Sequence, residues 1–387
     1  MARLGALFTI ASGGTPDKKH AEYYENGSIP WVKTGDLKEK YVQDGIECIT
    51  EQGVKNSSAK LFPPNTVLVA MYGATIGACS ILPYEATTNQ ACAAFLPTPD
   101  VLPDYLYYFL CSKKEQFVKD GVGGAQPNIS ASYLKNVEMQ VPSLQDQHVV
   151  IAILNKAQEL ISLRKQQIAK LDELVKARFV EMFGDPVQNT QKWEQALLHE
   201  VTSKIGSGAT PKGGKESYQD NGITLVRSMN VHDGRFEYKE LAHITDEQAA
   251  QLANVTVEEN DVFINITGAS VARSCLVPNE VLPARVNQHV AIIRCIRNRL
   301  NPVFANRMFL NESFKGQLLD IGESSGATRQ AITKQQLEML TIILPPLDLQ
   351  HQFAAFVAQT DQQKLTIQQS LDKLELMKKA LMQKYFG

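Results

Sequence analysis

Several segments of the sequence carry residue types that catalysis or nucleotide binding requires, but none has the required spacing. A phosphate-binding loop needs G-x-x-x-x-G-K-[ST], and the nearest approach, ATPKGGKE at residues 209–216, has alanine first and glutamate last. The glycine clusters at residues 121–124 and 322–326 do not fit G-x-G-x-x-G, and neither opens the strand-to-helix turn of a dinucleotide fold. We therefore predict no phosphate loop and no dinucleotide fold.

The residues that could hold a metal or act as a nucleophile are scattered as well. The seven histidines show no H-E-x-x-H spacing, the six cysteines form no C-x-x-C pair, and G-x-S-x-G does not occur. FPPN at residues 62–65 and LPPL at 344–347 both fail the [N/D]-P-P-[Y/F] pattern of an adenine methyltransferase loop. The sequence therefore predicts a non-catalytic chain with no metal site and no cofactor of its own.

The elements that position the remaining polar residues occur twice. SGGTP at residues 12–16 returns as SGATP at 207–211, and VPSLQDQH at 141–148 returns as LPPLDLQH at 344–351. Between these anchors, Asn-Gln at 89–90 returns at 287–288. The repeat of roughly 200 residues is far longer than the ~20 to 50 residues of solenoids and propellers, so the sequence predicts a duplicated domain.

The first part of each repeat has the texture of a mainly β globule. Short β-branched and aromatic runs are separated by turn signals, at residues 29–33, 66–71 and 91–96 and again at 223–227, 262–266 and 289–294. A helix-like stretch at 103–119, and at 302–319 in the second copy, precedes an irregular glycine-containing loop. These patterns predict the α+β class, with two mixed α/β globules.

The last part of each repeat predicts a long helix. Residues 146–183 and 349–386 contain no proline or glycine, and their apolar residues recur with 3-4 spacing. At ~1.5 Å per residue each helix is ~55 Å long. Amphipathic helices of that length need partners. We predict that the two pair antiparallel as a coiled-coil-like spacer, with the globules related by a pseudo-two-fold axis; the alternative is that each packs on its own domain.

Composition sets wide bounds. With 387 residues, of which 44% are hydrophobic and 21% charged, the chain is long enough to form two hydrophobic cores. The formal net charge of −2 neither indicates nor excludes nucleic-acid binding. The apolar run at the start of the chain is too short for a membrane span and weak as a signal peptide. A cytoplasmic protein that does not associate with membranes is expected.

Longer stretches around these motifs carry a family resemblance. They occur in the order EYYENGSIPWVKTGDL (22–37), VLVAMYGATIGA (67–78), GGAQPNIS (123–130), KLDELVKARFVEMFGDP (170–186), INITGASVAR (264–273) and VNQHVAIIR (286–294), together with the VPSLQDQ and LPPLDLQ anchors. The chain resembles the specificity (S) subunits of type I restriction-modification enzymes over essentially its whole length.

The resemblance implies an organisation in four parts. They are target recognition domain 1 (residues 1–145), a helical spacer (146–184), target recognition domain 2 (185–345) and a second helical spacer (346–387). Each recognition domain is expected to read one half of an asymmetric, bipartite site in double-stranded DNA, while the helices fix the length of the spacer between the halves. Two methyltransferase subunits are expected to dock on the chain, and two restriction subunits to complete the endonuclease. S-adenosylmethionine, ATP and Mg belong to those partners.

Candidate DNA-binding residues follow from this expectation, because base readout needs side chains with paired donors and acceptors near a groove. In the first domain they are Lys33, Thr34, Tyr72, Thr75, Gln126 and Asn128, and Gly73 is expected to allow a positive φ or close approach to a sugar-phosphate backbone. In the second they are Arg227, Ser228, Asn230, Thr267, Ser270, Arg273, Thr328, Arg329 and Gln330. Backbone N–H groups of residues 12–15 and 207–210 are expected to bind phosphate, with nearby lysines that set affinity rather than sequence preference: Lys18, Lys19, Lys212 and Lys215.

Differences between the two copies are expected to make the DNA site asymmetric. We align Gln126-Pro127-Asn128 with Thr328-Arg329-Gln330, and Lys33-Thr34 with Arg227-Ser228. The first domain has one arginine, Arg3, whereas the second has nine. Because arginine is the commonest reader of guanine, we predict that the second half-site is the richer in guanine.

Two other classes of function stay open on the sequence alone. The chain could be a scaffold that bridges two partners through its long helices, or a cryptic enzyme. Charge reversal of Lys33, Arg227 and Arg273 distinguishes the scaffold from DNA recognition. Loss of DNA binding in a complex that still assembles would favour recognition. Turnover by the isolated chain would support the second.

Overall fold

The computed structural model describes residues 1–122, 127–211, 213–323 and 330–387, with Lys215 described by its backbone alone. It divides into two compact units. The first unit contains residues 1–165 and 369–387, and the second contains residues 166–368. Each unit therefore includes one globule and a part of both long helices.

The described residues of the first unit form ten strands and five short helices, and the first long helix starts in this unit. The strands are β1 Ala2–Arg3, β2 Ile10–Ser12, β3 Ile29–Val32, β4 Cys48–Ile49, β5 Leu61–Phe62, β6 Val67–Ala70, β7 Cys79–Ile81, β8 Ala86–Thr88, β9 Cys92–Phe95 and β10 Glu138–Met139. The helices are α1 Leu4–Leu7, α2 Glu51–Lys55, α3 Pro103–Ser112, α4 Lys114–Asp120, α5 Ala131–Asn136 and the long α6 Leu144–Phe183.

The second unit follows the same plan. Its strands are β11 Gln195–Leu197, β12 Thr202–Ser207, β13 Ile223–Val226, β14 Val231–His232, β15 Arg235–Phe236, β16 Ala242–Ile244, β17 Val262–Asn265, β18 Ser274–Leu276, β19 Ala284–Val286, β20 Val290–Cys295 and β21 Thr341–Ile343. Its helices are α7 Asp246–Gln251, α8 Pro302–Phe309, α9 Glu312–Glu323, α10 Lys334–Glu338 and the long α11 Leu347–Phe386.

The main sheets of the two units have the same topology. An antiparallel sheet has the order β2-β9-β6-β7 in the first unit and β12-β20-β17-β18 in the second. A second sheet contains a parallel pair, β3 with β8 and β13 with β19. The α+β prediction and the predicted strands are confirmed, although each predicted intermediate helix is two helices, α3 with α4 and α8 with α9.

Each unit has a hydrophobic core to which both long helices contribute. In the first unit, the start of α6 supplies Val150 and Leu154, and the end of α11 supplies Phe386. In the second unit, the end of α6 supplies Phe183, and the start of α11 supplies Phe353. Aromatic rings do much of this packing: the ring centroids of Phe183 and Phe353 are 5.5 Å apart.

The two long helices run antiparallel within each unit. In the first unit Lys378 Nζ donates to Gln158 Oε1 (2.6 Å), and Lys165 Nζ lies 2.9 Å from Glu375 Oε1, so residue numbers rise on one helix as they fall on the other. In the second unit Lys364 Nζ donates to Asp172 Oδ1 (2.8 Å), and the end of α6 packs on the start of α11. The predicted antiparallel pairing is confirmed inside each unit.

A buried glutamine anchors the start of each long helix. The Oε1 of Gln147 accepts a hydrogen bond from Leu102 N (2.9 Å), and its Nε2 donates to the carbonyl oxygens of Asp100 (2.9 Å) and Pro142 (3.0 Å). The equivalent Gln350 makes the same set of bonds, to Asn301 N, Arg299 O and Pro345 O. Both side chains are fully buried. The repeated LQDQ and LDLQ motifs therefore join each helix to its globule.

Candidate nucleic-acid interface

In the second unit, three segments that contain predicted site residues meet around a groove of about 700 Å³. The groove is lined by the turn after β13, by the turn between β17 and β18, and by the chain that leads into α10. Five predicted residues line it, namely Ser228, Thr267, Ser270, Arg273 and Gln330. The structure thus brings together side chains that are separated by up to about 100 positions in sequence.

Backbone hydrogen bonds hold the turn at Gly268 against the segment that precedes α10. Gly268 has a φ of +75°, which favours glycine, and its N–H donates to Gln330 O (2.9 Å). Thr267 forms an antiparallel bridge with Ala331. These bonds hold the segment before α10 against the turn, so the side chains of both segments face the groove together.

The first unit has the same backbone arrangement. Gly73 has a φ of +67°, its N–H donates to Pro127 O (3.0 Å), and Tyr72 forms an antiparallel bridge with Asn128. The side chain of Tyr72 is exposed. Gln126 lies outside the described residues, as do Thr328 and Arg329 in the second unit.

This bonding corrects the alignment of the two glycine-containing loops. Pro127 and Gln330 accept the same hydrogen bond from equivalent glycines, and Asn128 and Ala331 form the equivalent bridges. Asn128 therefore corresponds to Ala331, and the alignment of Asn128 with Gln330 is wrong by one position. Asn128 N donates to Val122 O (2.9 Å) and Ala331 N donates to Gly322 O (3.1 Å), so the first loop has five residues between its bonded ends and the second has eight.

Asn230 is a second correction. Its side chain is fully buried, with Oδ1 accepting from Arg227 N (3.1 Å) and Nδ2 donating to Glu237 O (2.9 Å). The first unit has the same cap, in which Lys33 N donates to Asp36 Oδ2 (2.8 Å). Asn230 therefore closes a turn, and its side chain is not exposed at the surface as the prediction of a DNA contact requires.

The two basic residues at the start of these turns are engaged within the protein. Lys33 Nζ donates to Glu47 Oε2 (2.6 Å), and this hydrogen bond raises the pKa of Lys33 above its ordinary value. The guanidinium of Arg227 donates to Glu240 O and lies 5.4 Å from the ring centre of Tyr218. Either side chain would have to leave these contacts to bind a base.

Two of the predicted hydroxyl residues are hydrogen-bonded within their own turns, and two others are half-buried at the start of a turn. Thr75 Oγ1 donates to Tyr72 O (3.0 Å), and Ser270 Oγ accepts from Asn265 Nδ2 (3.1 Å), so both help to build their turns. Thr34 and Ser228 are half-buried at the start of the equivalent turns. Thr75 and Ser270, whose hydroxyl groups stabilise their turns, are therefore weaker candidates for DNA contact than Thr34 and Ser228.

One glycine amide in each of the SGGTP and SGATP motifs is bonded within the protein, and is not the free phosphate-binding amide that was expected. Gly14 N donates to Thr88 O (2.9 Å), and Gly208 N donates to Asn287 O (3.2 Å). The threonine of each motif donates to the glutamine of the Asn-Gln pair, as in Thr15 Oγ1 to Gln90 Oε1 (2.5 Å). These motifs fasten one loop to the end of a neighbouring strand.

The predicted phosphate-binding lysines are only partly described. Lys18 and Lys19 are exposed and follow the first motif directly. Lys212 and the side chain of Lys215 lie outside the described part of the structure.

His289 and its neighbour Gln288 are residues that the sequence reasoning missed. His289 lines the groove, where its Nδ1 lies 2.5 Å from Thr267 Oγ1, and Gln288 Nε2 donates to His289 Nε2 (3.1 Å). Because Nε2 accepts, Nδ1 carries the hydrogen and donates to Thr267. The signal was the Asn-Gln repeat, whose next residue is Ala91 in one copy and His289 in the other.

Other kinds of site receive no support from the described residues. Within the described ranges, no group of three or more His, Cys, Asp or Glu side chains is arranged to hold a metal ion. The described helices include none that is both long and apolar enough to cross a membrane.

A family model for the type I restriction modification DNA specificity domain matches residues 1–173 and again residues 190–376. The chain belongs to this family. Among specificity subunits, it is 27% identical over 399 residues to that of the type I restriction enzyme MjaIX from Methanocaldococcus jannaschii, which covers 97% of this chain and 89% of the relative. It is 30% identical over 158 residues to that of EcoR124I/EcoR124II from Escherichia coli, over 40% of this chain and 39% of the relative.

Solved structures share the fold of this specificity protein. The type I restriction-modification S subunit from M. genitalium aligns over 100% of this chain and 95% of its own, with a TM-score of 0.55 and 15% identity. A chain from a structure that addresses complex assembly and conformational transition of the type I R-M system aligns over 100% and 96%, with a TM-score of 0.62 and 18% identity. The recognised family and the architecture of two domains with long helices therefore agree.

Proposed function

We propose that this chain is the DNA-reading subunit of a type I restriction-modification system, and that each unit reads one half of an asymmetric, bipartite site. The observation that carries the proposal is that both units have the same backbone hydrogen bonds around the turns at Gly73 and Gly268 but different side chains at the equivalent positions. Hydrogen bonding makes four pairs of positions around the reading turns equivalent: Tyr72 and Thr267, Ala78 and Arg273, Ala91 and His289, Pro127 and Gln330. Similar frameworks with different donors and acceptors suit two different base sequences.

The proposed division of labour follows the four parts of the sequence. Residues 1–145 and 185–345 are the recognition domains, and residues 146–184 and 346–387 are the helices that set the spacer. The antiparallel helix pairs support a spacer of fixed length. Apolar side chains that stay exposed on these helices support docking of protein partners: Val149, Ile153, Leu163, Leu174, Leu365 and Leu376.

In this proposal the chain itself performs no chemistry. Two methyltransferase subunits dock on the helices and methylate adenine with S-adenosylmethionine, and two restriction subunits, which use ATP and Mg, join through them. The complex works in the cytoplasm, where its double-stranded DNA substrate lies.

Reconstitution tests the proposal. The chain and its methyltransferase subunit are combined with S-adenosylmethionine and genomic DNA, and methylated adenines are mapped by single-molecule sequencing. We expect one split motif, and exchange of residues 187–345 for another recognition domain is expected to change one half of it only. Methylation without any split motif, in a complex that still assembles, would favour the scaffold alternative.

A further inference from the structure

Among the described arginines of the arginine-rich second unit, one has a side chain that is not used to build the unit. Of the nine arginines between residues 185 and 345, Arg329 lies outside the described residues. Seven others contact backbone oxygens or carboxylates: Arg227, Arg235, Arg285, Arg294, Arg297, Arg299 and Arg307. Arg273 remains, and its guanidinium has no hydrogen bond or ion pair to any described residue.

Arg273 is held by its backbone at the edge of the groove. Its N–H donates to Ser270 O (3.2 Å), and its carbonyl oxygen accepts from Asn265 N (2.8 Å). The preceding Ala272 has a φ of +65°, which turns the chain sharply into β18. The backbone is thus fixed, and Arg273 lines the groove together with Thr267 and His289.

The groove around Arg273 is rich in hydrogen-bond donors. A polar chain runs from Thr210 through Gln288 and His289 to Thr267, and each member donates to the next. The Thr267 hydroxyl accepts from His289, so its own hydrogen is free to donate. Arginine adds a fork of N–H donors. A ligand that presents paired acceptors fits this surface, and the O6 and N7 edge of guanine in the major groove presents them.

We infer that Arg273 is a specificity-determining residue that reads a guanine in the half-site of the second unit; this inference rests on the proposed function. The first unit has Ala78 at the equivalent position, because Ala70 N donates to Ala78 O (2.9 Å) as Asn265 N does to Arg273 O. The same contact is therefore missing from that unit's half-site. Seven of the eight described arginines of the second unit are structural, and among the described ones Arg273 carries the preference.

The test is the methylome of the complex with its methyltransferase subunit, in wild type and variants. Arg273→Ala and Arg273→Lys are expected to relax one guanine of one half-site about ten- to a hundredfold, with the other half-site unchanged. Lysine keeps the charge but lacks the fork, so both variants relax the motif if the fork reads the base. The control is Arg235→Ala, which removes an exposed charge of the same unit and is expected to leave the motif intact.

A measurement on the wild-type complex covers the case in which a variant does not fold. Replacement of the target guanine by 7-deazaguanine in a duplex removes the N7 acceptor, and a drop in affinity of about tenfold is expected. Unchanged binding to that duplex, or variants that methylate less at an unchanged motif, would mean that Arg273 contacts phosphate and would overturn the inference. A split motif with no guanine in the half-site of the second unit would overturn the inference about Arg273 and leave the proposed function standing. If wild type yields no split motif, the proposed function falls as well.

Discussion

At the residue scale, Gly13 and Gly208 show why the repeated SGGTP and SGATP motifs need their first glycine. A Cβ on Gly13 would lie 1.9 Å from Thr88 O, and one on Gly208 would lie 1.8 Å from Val286 O. Both distances are far inside van der Waals contact, and the obstacle is backbone rather than a flexible side chain. Two loops that look like phosphate-binding turns are therefore close-packed joints.

Replacement of Gly13 tests this interpretation. Gly13→Ala is expected to destabilise the first unit by about 2–3 kcal/mol, because the methyl group forces the loop away from β8. Gly35→Ala is the matched control, since a Cβ there meets nothing within 4 Å, and it is expected to change stability by less than about 0.5 kcal/mol. Urea unfolding measures both; equal midpoints for the two variants would contradict the close-packed joint.

At the element scale, Gln350 and its equivalent Gln147 tie the long helices to the globules. Gln350→Ala is expected to cost about 2–3 kcal/mol, because one backbone N–H and two carbonyl oxygens lose their partner in a buried site. Gln352, which is exposed two positions later, provides the control variant Gln352→Ala. Thermal and urea unfolding of the two variants give the comparison. A loss as small as that of the control would show that other contacts anchor α11.

Secondary-structure elements were predictable where apolar residues recur at regular spacing or where proline and glycine mark the ends of an element. The long helices follow from 3-4 spacing over nearly forty residues, and the structure extends each by only two residues at its start. The loop register was not predictable, because extra residues in a glycine-containing loop leave no periodic trace. Only the hydrogen bonds of Gly73 and Gly268 align Asn128 with Ala331.

The proximity of the predicted polar residues follows from their places in turns, but their roles do not follow from residue type. Five of these residues line one groove. Burial decides the role of each, and sequence does not reveal it: Asn230 has the side chain of an adenine reader but caps a turn. His289 was missed because a lone histidine after a strand-end motif has no spacing partner in sequence.

At the scale of the whole molecule, the last residues of α11 complete the core of the first unit. Phe386→Ala is expected to destabilise that unit by about 3–4 kcal/mol, because the ring packs edge-on against Tyr105 and Phe109. Phe183→Ala is the equivalent change for the second unit. Hydrogen exchange is expected to rise within residues 1–165 for the first variant and within 190–345 for the other, whereas Leu376→Ala, at an exposed site, leaves both unchanged. Uniform loss of protection in either core variant would contradict this division.

This arrangement has a consequence for the order of events during synthesis. The globule of the first unit leaves the ribosome first, yet its core waits for residues 369–387, which are made after the whole of the second unit. At roughly 5–20 residues per second, about 10–40 s separate residue 165 from residue 369. During that interval the aromatic pocket that receives Phe386 stays uncovered, so the half of the protein that is made first is the last to be finished.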